Sequence, residues 1–238
     1  MSALADKVVI VTGAAGNLGQ AVARAAHAAG AKTVLVDQSA EQLQQVYGGT
    51  GPDASRMISG GVDLADEGSA RALAASVRAR FGRIDVLVNT VGGFRGGKHV
   101  HEEELATWDL MMTVNLRTAL LACRAVIPLM LEQGAGAIVN VGAGAALAAP
   151  AGLAAYSAAK SAVLRLTESL AAEVKAKGLR VNAVLPSTID TPQNRAAMPD
   201  ADTSKWVPPD AIADVIVFLA SDAARAVNGV ALPVFGRA

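Results

Sequence analysis

Along the chain, short β-branched runs alternate with longer stretches whose apolar residues recur every three or four positions. The first pattern marks buried strands and the second marks helices with one apolar face. Strands are predicted over Lys7–Thr12 (KVVIVT), Thr33–Asp37 (TVLVD), a weaker run ending near Val62–Asp63, Val86–Asn89, Ala137–Val141, Arg180–Leu185 and Val230–Val234. Helices are predicted over Asn17–Ala29, Ala40–Tyr47 and Asp66–Arg80, near Glu103–Glu132 and Leu153–Lys177, and after Pro208–Pro209. This alternation predicts an α/β fold, a doubly wound parallel sheet of about seven strands with helices on both faces and right-handed crossovers. No linker, charge block or repeat divides the chain, so residues 1–238 read as one domain. Two irregular stretches, Gly92–His101 and Pro186–Pro208, stand out as working loops, because long loops in compact domains are usually functional.

Composition narrows the choice. The hydrophobic share is 52% but aromatics are only 3%, and small side chains suit helices packed closely on a sheet. With 21 basic and 21 acidic residues the formal net charge is zero. Neither a nucleic-acid footprint nor a polybasic membrane patch is expected. Cys123 is the one cysteine, which points to a reducing compartment and no internal disulfide. Met1–Asp6 lacks the features of a signal peptide, and no apolar run reads as long enough to cross a bilayer. A soluble cytoplasmic protein is expected.

The first strand is followed by Thr12-Gly13-Ala14-Ala15-Gly16-Asn17-Leu18-Gly19, which opens the first helix. Glycines in such a turn let the backbone approach a pyrophosphate and let the helix pack against the strand. An acid, Asp37, follows 18 residues after Gly19 at the end of the second strand. A carboxylate there can accept both adenosine ribose hydroxyls and repel a 2′-phosphate, and Gln38 offers no positive charge. The expected cofactor is NAD(H), with NADP(H) disfavoured, on a single Rossmann-type domain. Asp37 could instead cap the next helix. Asp63 could bond the adenine amino group, with Leu64 supplying a backbone contact, or could be a turn residue. Asn89, in Asn89-Thr-Val91-Gly92, could line the cofactor site or hold strands together.

Tyr156 and Lys160 stand four apart at the start of a predicted helix and so share a face. An ammonium beside a phenol favours the phenolate, which predicts a lowered tyrosine pKa and an acid/base group.

The Gly13–Gly19 turn, Asp63, Val86-Leu-Val-Asn89, Asn115, Tyr156-Ser-Ala-Ala-Lys160, Pro186-Ser-Thr-Ile-Asp-Thr191 and Val217-Phe-Leu-Ala-Ser-Asp222 occur in the order of the short-chain dehydrogenases/reductases. The chain resembles that family along essentially its whole length. The resemblance implies that Tyr156 is the proton donor or acceptor, that Lys160 also binds the nicotinamide ribose, and that Asn115 anchors a water in a proton relay. Val91, Gly92, Pro186, Ile189 and Thr191 become expected cofactor contacts. It also implies a homodimer or homotetramer formed through the helices near Glu103–Glu132 and Leu153–Lys177.

Four positions depart from the family. Ala143 stands where the family carries the serine that donates to a substrate carbonyl, and alanine cannot donate. Asn17 and Ser187 replace usual glycines, asparagine being tolerant of left-handed backbone. Asn89-Thr-Val-Gly92 replaces Asn-Asn-Ala-Gly. The missing serine fits either a catalytically silent NAD-binding scaffold or a substrate that is not an ordinary carbonyl. Thr90–Gly97 and Leu185–Asp202 resemble dihydropteridine reductases, which act on a quinonoid dihydropterin with NADH. In that resemblance Phe94 stands beside the flat ring and Trp206 lies in the later substrate loop, although both could simply pack their loops. A ketone, 3-oxoacyl or sugar reductase, or an alcohol dehydrogenase, is the conventional alternative. A small-molecule substrate is expected throughout. His99 and His101 lack a third ligand of suitable spacing and read as solvated, and Cys123 reads as a packed side chain.

Overall fold

The computed structural model describes residues 2–51 and 53–237. Its strands are β1 (Val8–Thr12), β2 (Lys32–Val36), β3 (Arg56–Ser59), β4 (Val86–Asn89), β5 (Gly136–Val141), β6 (Leu179–Pro186) and β7 (Ala231–Val234). They form one sheet in the order β3-β2-β1-β4-β5-β6-β7, with every pairing parallel. The order reverses between β1 and β4. In doubly wound sheets that switch point opens a crevice at the carboxyl ends of the strands.

The helices are α1 (Asn17–Ala28), α2 (Ala40–Tyr47), α3 (Glu67–Phe81), α4 (Leu105–Met112), α5 (Thr118–Gln133), α6 (Ala154–Val174), α7 (Pro192–Ala197) and α8 (Pro209–Ala220). Every side chain of β1 is buried, and alternation along it feeds two cores. Val9 and Val11 pack with Leu18 and Val22 of α1 and with Ile212 and Ile216 of α8. Val8 and Ile10 pack with Leu73 and Val77 of α3, Val126 of α5 and Val174 of α6. Alanines at Ala21, Ala213 and Ala220 are buried in the first core, and small residues there let α1 and α8 approach closely. Truncating wholly buried Ile10 to alanine would cost about 2–5 kcal/mol.

Three sequence expectations are corrected. First, the third strand ends at Ser59 and not near Val62–Asp63, because Gly61 turns the chain with φ +74°. The Val62 N–H still donates to the Asp37 carbonyl at 3.2 Å. Second, Pro186–Pro208 is not wholly irregular. Thr191 caps α7 by accepting from the Asn194 N–H, and Pro192 opens the helix, a start signal that is present in the sequence. Third, a π-helical turn over Thr113–Arg117 joins α4 to α5. The continuous helical stretch Leu105–Gln133 then has 29 residues and is long and apolar enough to cross a membrane by length and composition. Instead Leu121, Cys123 and Val126 lie in the core against the sheet.

Candidate active site

At the carboxyl end of β1, Gly13 turns the chain with φ +62°, and α1 starts four residues later with no side-chain cap. The helix sits directly on that turn: a Cβ on Gly19 would come within 2.0 Å of the Gly13 carbonyl oxygen. No larger residue fits without parting helix and turn, so the first turn of α1 is held where its free N–H groups can meet an anion. Tyr47, at the end of α2, braces the same turn by donating its hydroxyl to the Ala14 carbonyl at 2.9 Å. Sequence reasoning missed this brace, whose only signal is an aromatic closing a polar helix.

Asp37 follows β2. One carboxylate oxygen accepts from the Ala15 N–H at 3.1 Å and the other from the Ser39 N–H at 3.2 Å. The alternative of a helix cap is corrected, since Ser39 caps α2 by accepting from the Gln42 N–H. Asp37, Gly13, Gly16, Asp63, Leu64, Val91 and Gly92 line one cleft of about 490 Å³, within the usual size of small-molecule sites. Asp63 also accepts from the Ala65 N–H at 2.9 Å, so it shapes a turn while lining that cleft.

Farther along the crevice, the π-helical turn presents Asn115, which is buried. Its carbonyl oxygen accepts from the Gly93 N–H at 3.2 Å, and its amide donates to the Gly93 carbonyl at 3.0 Å and the Met111 carbonyl at 3.1 Å. Asn115 thereby clamps the start of the Gly92–His101 loop. Single π turns recur at functional sites because they re-aim side chains. Lys160, buried on α6, donates to the Val141 carbonyl at 2.9 Å. A Cβ on Gly92 would lie 3.0 Å from Asn115 Oδ1 and 3.2 Å from Lys160 Nζ, so loop, amide and ammonium meet at one point.

Tyr156 lies one helical turn before Lys160. It packs against Met111, Ala155 and Ala159, as Trp108 and Val114 also do, and its ring receives Phe94 edge-on, with centroids 5.1 Å apart. Lys160 Nζ is 6.0 Å from the centre of the Tyr156 ring. The expected lowering of the tyrosine pKa is corrected. Burial pushes the phenol up to about 12 and pushes the ammonium down to about 8. Both groups have left water, and at this separation burial outweighs their attraction.

The remaining expected positions divide. Asn89 donates to Asn140 Oδ1 at 2.9 Å, and Asn140 donates to Thr167 Oγ1 at 2.9 Å. That chain ties β4, β5 and α6, while Asn89 Oδ1 stays buried without a partner among the described residues. Asn17 is the first residue of α1. Asp6 is the one non-glycine residue with positive φ among those described, so the left-handed tolerance expected of Asn17 is unused. Its amide donates to Gln193 Oε1 of α7 at 2.7 Å, across the crevice. Leu18 is buried behind the turn. Pro186 ends β6, Ile189 bridges to Val207, and Thr191 is spent on capping α7.

Ala143 is buried two residues past β5, in Gly142–Ala146, a stretch without a side-chain donor. Trp206 is half-buried and makes no ring contact with Phe94 or Tyr156 among the described residues. His99 and His101 stack with centroids 5.9 Å apart and are exposed. Cys123 is wholly buried and pushed up to about 12 by that burial.

Comparison with known proteins places this geometry. The family described as short chain dehydrogenase matches residues 7–202. A D-threitol dehydrogenase of Mycolicibacterium smegmatis is 39% identical over 98% of this chain and 93% of its own length. Among solved structures, levodione reductase superposes with TM-score 0.90 at 32% identity, covering 98% of this chain and 97% of the other. An NAD+-bound xylitol dehydrogenase gives TM-score 0.86 at 26% identity, covering 98% and 99% respectively.

Proposed function

Because the chain belongs to the short-chain dehydrogenase family, we propose that it transfers hydride between NAD(H) and a small alcohol–carbonyl pair, with Tyr156 giving or taking the proton. One observation carries this reading. Lys160 and Asn115 meet at Gly92, which lines the same cleft as Asp37, and Tyr156 stands one helical turn before Lys160 against Phe94 of the same loop. The backbone fits a dinucleotide: a Cβ at Gly19 or Gly92 would meet the turn or the catalytic side chains at contact distance or closer. Bound nicotinamide supplies or accepts the hydride.

The chain's own residues do the rest. Asp37 keeps lone pairs for two ribose hydroxyls beyond its bonds to Ala15 and Ser39, and its charge repels a 2′-phosphate. That is the basis for NAD(H) over NADP(H). Tyr156, with its pKa pushed up to about 12, stays a neutral phenol through the neutral range and is a proton donor in the reduction direction. Lys160 holds positive charge beside that phenol at neutral pH, and Asn115 fixes the loop that borders both.

The similar proteins support an alcohol–carbonyl couple, since their names describe polyol dehydrogenases and a ketone reductase. A second reading, reduction of a quinonoid dihydropterin-like ring, draws on Ala143 and on Phe94 against Tyr156. Such a ring becomes aromatic on receiving hydride and needs no serine donor. The test follows nicotinamide absorbance with NAD+ and a panel of secondary alcohols and polyols, and with NADH and ketones and quinonoid dihydropterin. Turnover of one class selects the reading. Cofactor binding without turnover of any class would leave a silent NAD-binding protein and sink both.

For assembly, the reading is a homodimer or homotetramer through α4, α5 and α6. The apolar side chains Leu105 and Leu131, 80% and 39% exposed on α4 and α5, support it. Sedimentation as a monomer at micromolar concentration would overturn it.

A further inference from the structure

Four loops leave the carboxyl edge of the sheet side by side, from β4, β5, β6 and β7. The first carries Phe94 edge-on to Tyr156. The last carries Phe235, whose ring lies against the β5 loop: a Cβ on Gly144 would be 3.1 Å from Phe235 Cε1. The tail that holds Phe235 is stitched down. Ser187, just after β6, donates its hydroxyl to the Phe235 carbonyl at 3.0 Å and its N–H to the Val234 carbonyl at 3.3 Å. The β5 loop beneath is itself tied to α6, through Lys160 to the Val141 carbonyl and Ser161 to the Ala146 carbonyl at 3.0 Å.

Two departures from the family therefore converge here. Ala143, next to Gly144, removes a hydroxyl from this side of the crevice, and Ser187 adds one that is consumed internally in fixing an aromatic ring. Three further polar side chains near these loops are likewise engaged. Ser161 serves Ala146, Asn194 donates to the Ile189 carbonyl at 2.8 Å, and Thr191 caps α7. On the loops after β5 and β6, the apolar side chains Leu147 and Met198 are 58% and 40% exposed.

We infer that the substrate is a flat or alicyclic ring compound held between Phe94 and Phe235, and that Phe235, pinned by Ser187, is a specificity-determining residue that turns polyols away. The inference rests on the active-site reading above. A polyol entering this space would give up water from several hydroxyls and find few donors or acceptors in return, which is how apolar sites reject hydroxylated ligands. A ring compound loses little on desolvation and gains offset or edge contacts with both phenylalanines.

The test is calorimetric binding to the intact protein saturated with NADH, using 2-tetralone and threitol as probes. Native protein should bind 2-tetralone at least about tenfold more tightly than threitol, the order expected from one well-packed apolar wall. Phe235→Ala should erase about tenfold of that ratio, and Ser187→Gly, which restores the family residue and removes the hydroxyl tether while keeping the N–H bond to Val234, several-fold. The NADH dissociation constant should not move in either variant. Equal binding of the two probes by the native protein would overturn the inference, as would a ratio unchanged in both variants. Binding needs no turnover, so the two readings fail separately. If 2-tetralone binds in this pattern but is not reduced, hydride transfer to a carbonyl fails and the ring-binding site stands.

Discussion

The two ends of the crevice are built by different means. At the end proposed for adenosine, between β1 and β2, the shape is set by backbone: the Gly13 turn, the contact of Gly19 with that turn, and the N–H groups of Ala15 and Ser39 that orient Asp37. At the end proposed for substrate, beyond β4, the shape is set by side chains carried on four separate loops, among them Phe94 and Phe235, and there Ala143 and Ser187 depart from the family pattern. A phosphate-binding turn tolerates few solutions because its ligand is always the same diphosphate. A substrate wall can change one side chain at a time. The comparison teaches that cofactor chemistry is fixed by local geometry, whereas substrate choice is fixed by which rings and hydroxyls the loops happen to bring together.

The largest expected effect falls where the two ends meet. Tyr156→Phe keeps the ring and its edge contact with Phe94 but removes the proton. Turnover should drop by roughly 10²–10⁴-fold, the usual worth of a positioned acid/base, with NADH affinity unchanged by titration. In the native protein, oxidation needs the phenolate and should quicken as pH rises. Reduction needs the neutral phenol, whose pKa is pushed up to about 12, and should hold level through neutrality. Profiles of kcat/KM in both directions check the sign, and a variant as active as the native protein would detach Tyr156 from the chemistry.

Next comes the adenosine end. Asp37→Ala removes a carboxylate that also satisfies the Ala15 and Ser39 N–H groups. Charged hydrogen bonds of this kind are worth about 1.5–3 kcal/mol, so NADH should bind roughly ten- to a hundredfold more weakly. NADPH, relieved of repulsion, should lose much less. Fluorescence titration of both cofactors reads the change, and an unchanged preference would break the assignment of NAD(H) to this carboxylate.

The contrast between the two ends also decides how much could be read in advance. The count of seven strands and their parallel pairing were legible because buried β-branched runs and amphipathic helices have different periods, and β4 and α2 appear with the expected bounds, whereas β3 ends earlier than expected. The tight turn at Gly13 and its contact with Gly19 were legible because glycines in that order mark a strand-to-helix turn. Less visible was anything that depends on pairing across the chain. The Asn17–Gln193 bond spans 176 residues, Tyr47 reaches 33 residues back to Ala14, and Phe235 lies against Gly144. The π turn at Thr113–Arg117 leaves no mark in the apolar period, and its effect is to bury Asn115. The tyrosine pKa was misjudged for a similar reason. Spacing on a helix gives proximity to Lys160 but says nothing about burial.

That burial makes a smaller prediction, about stability. Lys160 ionises near 10.4 when exposed and at about 8 in the fold. Between those values the unfolded chain holds more protons, so native stability should rise as pH climbs from about 8 towards 10.4, and the full penalty applies below 8. The difference amounts to roughly 3 kcal/mol, offset by about 1 kcal/mol from the bond to the Val141 carbonyl. Lys160→Met should therefore stabilise the inactive protein by about 1–2 kcal/mol at neutral pH, with the gain fading in alkali. Urea unfolding at two pH values measures it. A destabilised variant at neutral pH would show that the lysine supports the fold and not only the chemistry.

The smallest effect separates the substrate readings. Ala143→Ser restores a donor on the β5 loop, beside the carbonyl that Lys160 holds and next to Gly144 under the Phe235 ring. One neutral hydrogen bond contributes about 0.5–1.5 kcal/mol, so ketone reduction should gain between about two- and tenfold if the reacting atom is an ordinary carbonyl. A quinonoid ring gains nothing, because its driving force is recovered aromaticity and not polarisation of one oxygen. Parallel kcat/KM measurements on a ketone and on quinonoid dihydropterin read the difference directly. A gain confined to the ketone would mean that this end of the crevice kept the family's chemistry and changed only its walls. No gain on either substrate would mean that Phe235 and its tether have displaced the reacting group from the reach of position 143, and that the substrate end has been rebuilt around rings.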